Sequence, residues 1–233
     1  MKVLRIDRVY IRRGYPYFNR AVRFARALPE NVQVVDAEYW KGGRENNKYS
    51  DLRTLRDAGV VKYPFALVKN RKDVEEFMAK NNFSFPIVLK WQYGMGAKYV
   101  YIAQDINEAL DAIYKHPIDE VLVMEYVKAD VEYKCIVLQG KVEFPVLCTP
   151  HKSDGFGSDL LKPYTMNIKD IPGLEEAVVK ACDVLGKSIS KVDVLSRGGE
   201  LFILEVNRSP GFEYYETGTQ LNVLGRVLEI LTK

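Results

Sequence analysis

The 233-residue chain is predicted to fold as an α+β protein. Three features carry this expectation. Apolar residues recur at helical spacing, as in Phe18, Ala21, Val22, Ala25 and Leu28. Short apolar strands are joined by tight turns at Gln139-Gly140 and Arg197-Gly198-Gly199, so hairpins dominate. No regular strand–helix–strand succession continues past the first 40 residues.

The elements follow in order. Val3 to Ile11 reads as a strand. The helix marked by Phe18 to Leu28 stops before Pro29, and Val32 to Val35 is a short strand. The polar run Lys41 to Asn47 is the best boundary, and Asp51 is a candidate cap for a helix running to Ala58. A strand over Phe65–Val68 precedes a helix marked by Val74, Phe77 and Met78. Pro86–Lys90 and Tyr99–Ile102 read as strands around a Trp91–Ala97 loop. A helix over Asn107–Tyr114 leads to a strand over Val121–Val127. Val131–Leu138 and Val142–Cys148 form the first hairpin, and Thr149–Ile171 has no clear period. A helix over Leu174–Leu185 precedes the second hairpin, Ser190–Ser196 with Glu200–Val206. Asn207–Gln220 reads as a loop and Leu221–Leu231 as a closing helix.

Composition narrows the function classes. With 47% apolar and 28% charged residues, the chain is neither disordered nor fibrous. No apolar run reaches the roughly 18–20 residues of a membrane helix, and the charged N-terminus has no signal-peptide core. A cytoplasmic location is expected. Three cysteines without C-x-x-C spacing suggest a reducing compartment, with neither a disulfide frame nor a zinc site. Residues 1–50 carry a net charge of +6 and the rest −3. A solvated helix face explains the basic segment better than nucleic-acid binding does.

The most informative stretch is KVDVLSRGGELFILEVNRSPG, residues 191–211. Glu205 and Asn207 are two apart on one strand and share a face. Asp193 joins them if residues 197–199 form a three-residue loop, with Glu205 as its diagonal neighbour about 7–8 Å away. A two-residue loop shifts the parity and turns Asp193 to the wrong face. Two carboxylates and an amide on one face suit a hard cation, Mg²⁺ above all, with Mn²⁺ as an alternative.

A second stretch, PIVLKWQYGMGAK, ends an apolar strand in Lys90 and continues into a loop with Gly94, Gly96 and Ala97. Such a loop permits close backbone approach to phosphate oxygens, although neither a Walker A nor a G-x-G-x-x-G pattern is present. The strand VLVMEYV carries Glu125, and Glu132 and Lys134 lie two apart on the next strand.

In this order the segments resemble the ATP-grasp superfamily, and within it the RimK-type carboxylate–amine ligases. The resemblance runs from about Asn46 to Leu231 through NNK, PIVLKWQYGMGAKYV, VMEYV, EYKCIVLQGKV and KVDVL…LFILEVNRSPGF…ETGTQLNV. It implies an ATP-grasp fold: two α+β subdomains, 47–127 and 128–233, clamp ATP behind a shortened N-terminal α/β segment, 1–46. It places Lys48 and Lys90 near the phosphates, with the Gly94–Ala97 loop closing over them. It gives Glu125, Tyr126 and Val127 to the adenine hinge and Glu132 to the ribose. Lys134 stands where relatives have an Arg that contacts the γ-phosphate. Asp193, Glu205 and Asn207 match the Mg²⁺ ligands, and Arg208, Ser209 and Gly211 lie beside the reacting acyl group. Gly157-Ser158-Asp159 stands where relatives read R-S-N, which leaves Lys152 or Lys162 as the replacement cation.

The activity implied is ATP-dependent amide formation through an acylphosphate, with ADP and phosphate released. The expected partners are ATP, a carboxylate and an amine acceptor (amino acid, peptide or carrier protein). A membrane is not among them, nucleic acid ranks last, and a second subunit could complete the cleft as a homodimer. The alternatives are an ATP-grasp kinase and a non-catalytic nucleotide-binding module.

Overall fold

A computed structural model describes residues 7–11, 18–42, 47–93, 99–116, 120–151, 162–208 and 210–232. At the N-terminus, β1 (Arg8–Val9) pairs in parallel with β2 (Gln33–Val34), with α1 (Phe18–Ala27) between them and α2 (Ala37–Gly42) following. Val22 and Ala25 form the buried stripe of α1, as its helical spacing requires. Ala25, Val34 and Trp40 make a small core, with the Tyr39 ring edge-on to Trp40 at 4.7 Å.

The helix α3 (Lys48–Asp57) starts at Asn47, not at Asp51. The Asn47 side chain accepts from the Ser50 N–H at 2.8 Å, and the Ser50 hydroxyl oxygen accepts from the Asn47 N–H at 3.0 Å. This reciprocal box occupies otherwise unpaired donors at the helix start. Asp51 instead ion-pairs with buried Lys187 at 2.6 Å. Although it lies within the 47–127 stretch, α3 packs against the C-terminal sheet and its helix.

The central sheet has the order β3-β6-β4-β5, from β3 (Phe65–Val68), β4 (Ile87–Trp91), β5 (Val100–Ala103) and β6 (Val121–Glu125). One face carries Ile87, Leu89, Val121 and Val123, covered by α4 (Arg71–Asn81) and α5 (Ile106–Tyr114). The other face presents Val88, Leu122 and Met124 to a core shared with the C-terminal half.

The C-terminal sheet runs β10-β9-β7-β11-β12, with β8 paired to β7. Its strands are β7 (Val131–Leu138), β8 (Lys141–Val142), β9 (Val146–Pro150), β10 (Tyr164–Met166), β11 (Ile189–Arg197) and β12 (Glu200–Asn207). The expected strand from Val142 to Cys148 is therefore broken, and β10 emerges from the stretch without a period. The first hairpin turns at Gln139 and Gly140, both with positive φ (49° and 76°), the geometry of a two-residue turn.

Alternation gives the C-terminal sheet two different faces. Cys135, Val137, Val192 and Val194 pack on α6 (Leu174–Val184). On the opposite face Ile136, Leu138, Leu147 and Ile189 are covered by Phe212, Tyr215, Val223 and Val227 from around α7 (Glu213–Thr219) and α8 (Val223–Thr232). Burying each of these large side chains contributes about 1.5–3 kcal/mol. The helix α7 replaces the loop expected over Asn207–Gln220. Its sequence, EYYETGT, has almost no apolar periodicity, and the burial of Tyr215 holds it in place.

The second hairpin decides the site. Arg197 pairs with Glu200, so the turn holds only Gly198 and Gly199, with φ of 57° and 86°. Taken alone, that turn would set Leu204 opposite Asp193. A β-bulge intervenes: Val194 faces Ile203 while Asp193 faces Glu205, and Leu204 is left over. The extra residue reverses the parity and brings both carboxylates to one face, directly opposite rather than diagonal.

Candidate active site

On the face that buries Ile136 and Ile189, β7, β11 and β12 turn polar toward one end. Lys134, Asp193 and Glu205 form one row across the three strands. Lys191 faces Asn207 in the next row. Thr149, Glu132 and Leu195 form the row on the other side.

Each carboxylate in this patch is held by an ammonium or an amide. The Asn207 amide donates to Asp193 Oδ2 at 3.0 Å. Lys191 Nζ lies 3.1 Å and Lys134 Nζ 3.9 Å from Asp193 Oδ1. That oxygen is buried and makes no hydrogen bond. Lys134 also donates to Glu132. Lys48, at the start of α3, lies 3.1 Å from Glu205 Oε1. The same turn of α3 touches the loop after β4, where the Lys48 N–H donates to the Gln92 carbonyl at 3.4 Å.

Lys90 enters from the facing sheet. It alternates with Val88 on β4 and so points away from α4 and α5, toward the shared core. Burial lowers its pKa, and Lys48 lowers it further, while Glu205 and Asp193 pull it back up. Burial also pushes Asp193 above the usual carboxylate range, against the opposing pull of Lys191 and Lys134. For Glu205 burial is outweighed by Lys48 and Lys90, and its pKa is lowered. Four lysines and three acids thus occupy one patch between two sheets, an electrostatic setting for an anion and a divalent cation together.

The metal-ligand trio expected from the sequence is therefore brought together. Among the described residues no group of three or more His, Cys, Asp or Glu gathers in a metal-holding arrangement. The donor set is instead two carboxylates and an amide, all oxygen donors, which suits a hard cation that completes its shell with water and phosphate.

Glu125 closes β6 with its carboxylate 3.6 Å from Arg197, so its side chain ties the two sheets together. Tyr126 and Val127 follow outside any strand, half-buried and buried respectively, and their backbone groups lie beyond the β6 ladder. Arg208 is engaged elsewhere. Its guanidinium pairs with Asp36, donates to the Gly186 and Leu185 carbonyls at 2.9 and 3.1 Å, and stacks 4.1 Å over the Tyr39 ring. In this arrangement it clamps the N-terminal segment to the α6–β11 turn. Gly94, Gly96, Ala97 and Ser209 lie outside the described residues, as do Lys152 and Gly157-Ser158-Asp159.

Several site residues escaped the sequence reading. Lys191 stands two before Asp193, and strand alternation alone places it on the same face. His151 follows Thr149 by two, and its Nε2 is buried without a hydrogen bond. Burial lowers the His151 pKa, Glu132 raises it and Lys134 lowers it. Cys135, Cys148 and Cys182 are free and buried. Burial pushes the Cys148 thiol up to about 11, which leaves it a poor nucleophile. A separate groove of about 490 Å³ runs along the β3 edge between Arg56 and Lys80, and none of its lining residues belongs to the patch. Among the described residues no helix is long and apolar enough to cross a membrane.

Two facing antiparallel sheets with lysines and carboxylates between them define the class of fold. Solved ATP-grasp structures share it. The ATP-grasp ligase PsnB complexed with minimal precursor superposes with a TM-score of 0.73 at 18% identity, over 97% of this chain and 79% of that one. The family model described as a RimK-like ATP-grasp domain matches residues 45–231, and the chain belongs to that family. A probable alpha-L-glutamate ligase of Halorhodospira halophila is 28% identical over 82% of this chain and 64% of its own length. A coenzyme gamma-F420-2:alpha-L-glutamate ligase of Methanococcus maripaludis is 24% identical over 99% of this chain and 83% of its own. The chain thus spans under two thirds of the first of these relatives.

Proposed function

We propose that the protein is an ATP-dependent carbon–nitrogen ligase that joins a carboxylate to an amine. The observation that carries this reading is the row Lys134–Asp193–Glu205, with Lys48 beside it and Lys90 of the facing sheet close enough to feel Glu205 and Asp193. Nucleotide binding of this kind is what the ATP-grasp family membership supports. The relatives named as glutamate ligases favour an amide product, with an amino acid or a peptide as the acceptor.

The chemistry needs no protein nucleophile. A substrate carboxylate oxygen attacks the γ-phosphorus, the bond to the ADP oxygen breaks, and an acylphosphate forms. An amine nitrogen then attacks the acyl carbon, the carbon–oxygen bond to phosphate breaks, and the nitrogen gives up its proton. The protein's task is to hold the reactants in line and to neutralise charge on the phosphoryl oxygens. Lys48 and Lys90 would bind phosphate oxygens, with Gly94, Gly96 and Ala97 closing over them. Lys134 would meet the transferring group. The Glu125–Val127 segment would pair with the adenine edge through its backbone, and Glu132 would take the ribose. Asp193, Glu205 and Asn207 would hold Mg²⁺ (or Mn²⁺), which when bound supplies Lewis-acid polarisation of the phosphates. Ser209 and Gly211, which follow the ligand strand in sequence, would lie beside the acyl group, and Arg208 would join them only by leaving Asp36.

The test is incubation with ATP, Mg²⁺, L-glutamate and candidate carboxylates, with ADP followed by a coupled assay and the product by mass spectrometry. The expected result is ADP formed together with an amide. A stable phosphorylated product without amide would assign a kinase instead, and ATP binding without any turnover a regulatory module.

A further inference from the structure

The trio of oxygen donors already contains a cation of its own. Lys191 leaves β11 on the same face as Asp193 and directly opposite Asn207, so it neighbours two of the three candidate metal ligands. Its ammonium is 3.1 Å from Asp193 Oδ1. Asp193 Oδ2 is meanwhile committed to the Asn207 amide at 3.0 Å. Both oxygens of Asp193 thereby face a partner before any divalent ion arrives, Oδ2 by a hydrogen bond and Oδ1 by ion pairing alone. Lys134 reaches Oδ1 only at 3.9 Å and is bonded to Glu132, so Lys191 is the nearer competitor.

An ammonium and a divalent cation on that one oxygen compete, because two positive centres sharing a buried ligand atom repel each other. Removing the ammonium to solvent costs the buried carboxylate its partner. A triphosphate alters the balance. It brings several negative charges into reach of the lysine, so the ammonium can move from Asp193 to a phosphate oxygen while the divalent ion takes its place.

We infer that Lys191 is a tethered counter-ion of the metal site, one that blocks Asp193 against free divalent cations and yields it only to a cation that enters with the nucleotide. The inference rests on the metal-nucleotide reading above and adds an order to it. Metal and nucleotide bind as a coupled pair, and the reciprocity of linkage requires that each strengthens the other.

The test measures Mn²⁺ binding to the full chain by the loss of the free-ion electron paramagnetic resonance signal, with and without a non-hydrolysable ATP analogue. In the wild type, weak Mn²⁺ binding should tighten at least tenfold when the analogue is present. Lys191→Met keeps the side-chain length without the charge. Without nucleotide it should bind Mn²⁺ at least tenfold more tightly than the wild type, so that the coupling shrinks. Lys191→Arg should restore the weak, nucleotide-dependent behaviour, which also controls for misfolding of the methionine variant. Equal Mn²⁺ affinity in wild type and both variants without nucleotide, with normal tightening by the analogue, overturns the counter-ion role and leaves the metal site standing. No Mn²⁺ binding by folded wild type, even with the analogue, overturns the metal reading and this inference together.

Discussion

At the residue scale the molecule spends its buried charges in two ways. The Lys134–Asp193–Glu205 row gathers them where a ligand can use them, whereas Arg208 and Asp36 bury theirs for architecture. The Asp36 side chain is 1% exposed and that of Arg208 is 8%. Asp36 takes the left-handed conformation at φ 55° and also accepts from the Ser188 N–H at 2.9 Å. Removing one partner strands the other charge in the interior, so Arg208→Met is expected to cost about 3–5 kcal/mol in urea denaturation. A loss under about 1 kcal/mol would show that the guanidinium is free for the acyl group instead. His151 yields a pH prediction. Its folded pKa lies below the unfolded value of about 6.5, so the folded state binds fewer protons in that range. Its contribution to stability is complete above about 6.5 and is lost as pH falls through the lower folded value. Thermal midpoints measured from pH 7.5 to 5 should therefore fall less steeply for His151→Gln than for the wild type. Parallel curves would remove that assignment. Residue chemistry was legible from the sequence where types were unusual for a strand, as with Asp193, Glu205 and Asn207. It was not legible for Arg208, whose neighbours Asp36 and Gly186 are remote in sequence and become partners only in the fold.

At the scale of elements, most strands and helices announce themselves by period. The exceptions each have a physical cause. The helix α3 begins at Asn47 because a reciprocal cap with Ser50 is available there, while Asp51 is drawn to Lys187. The helix α7 has little amphipathic pattern, and tertiary burial of Tyr215 overrides local preference. The turn of the second hairpin could be read as two or three residues. The two-residue reading is correct for the turn, and the bulge at Leu204 still delivers the carboxylates to one face. Nothing in LFILEV marks that bulge in advance, because Leu204 is as apolar as its neighbours. The cap of α3 matters for the site since it fixes the turn that carries Lys48. Asn47→Ala should lower stability by about 1 kcal/mol and weaken binding of an ATP analogue by loosening the Lys48–Glu205 pair. Unchanged affinity with the expected loss of stability would separate the cap from the site.

At the scale of the whole molecule, two sheets and a bridging helix meet around one charged patch. The side chains of Lys90 from the central sheet and Glu205 from the C-terminal sheet sense each other, Glu125 ties to Arg197, and Tyr63 donates to the Ile203 carbonyl at 2.6 Å. A ligand that engages both sheets should stabilise the entire fold by mass action, about 2.7 kcal/mol at a hundred times its Kd. Thermal denaturation should thus shift upward with ATP analogue and Mg²⁺ together, and less with either alone. The overall architecture was legible because hairpins and helices alternate in the order of the ATP-grasp family. The seating of α3 on the C-terminal sheet was not, since it depends on Leu52 and Leu55 joining a core with α6 and β12, more than 100 residues away. The proposed chemistry requires that Asp193, Glu205 and Asn207 hold a divalent cation beside the nucleotide. Calorimetric titration of an ATP analogue into wild type and Glu205→Gln, each with Mg²⁺ and with chelator, tests it most directly. Mg²⁺-dependent binding is expected in the wild type, with at least a hundredfold weaker, Mg²⁺-insensitive binding in the folded variant. Equal, Mg²⁺-dependent binding by both proteins would contradict it.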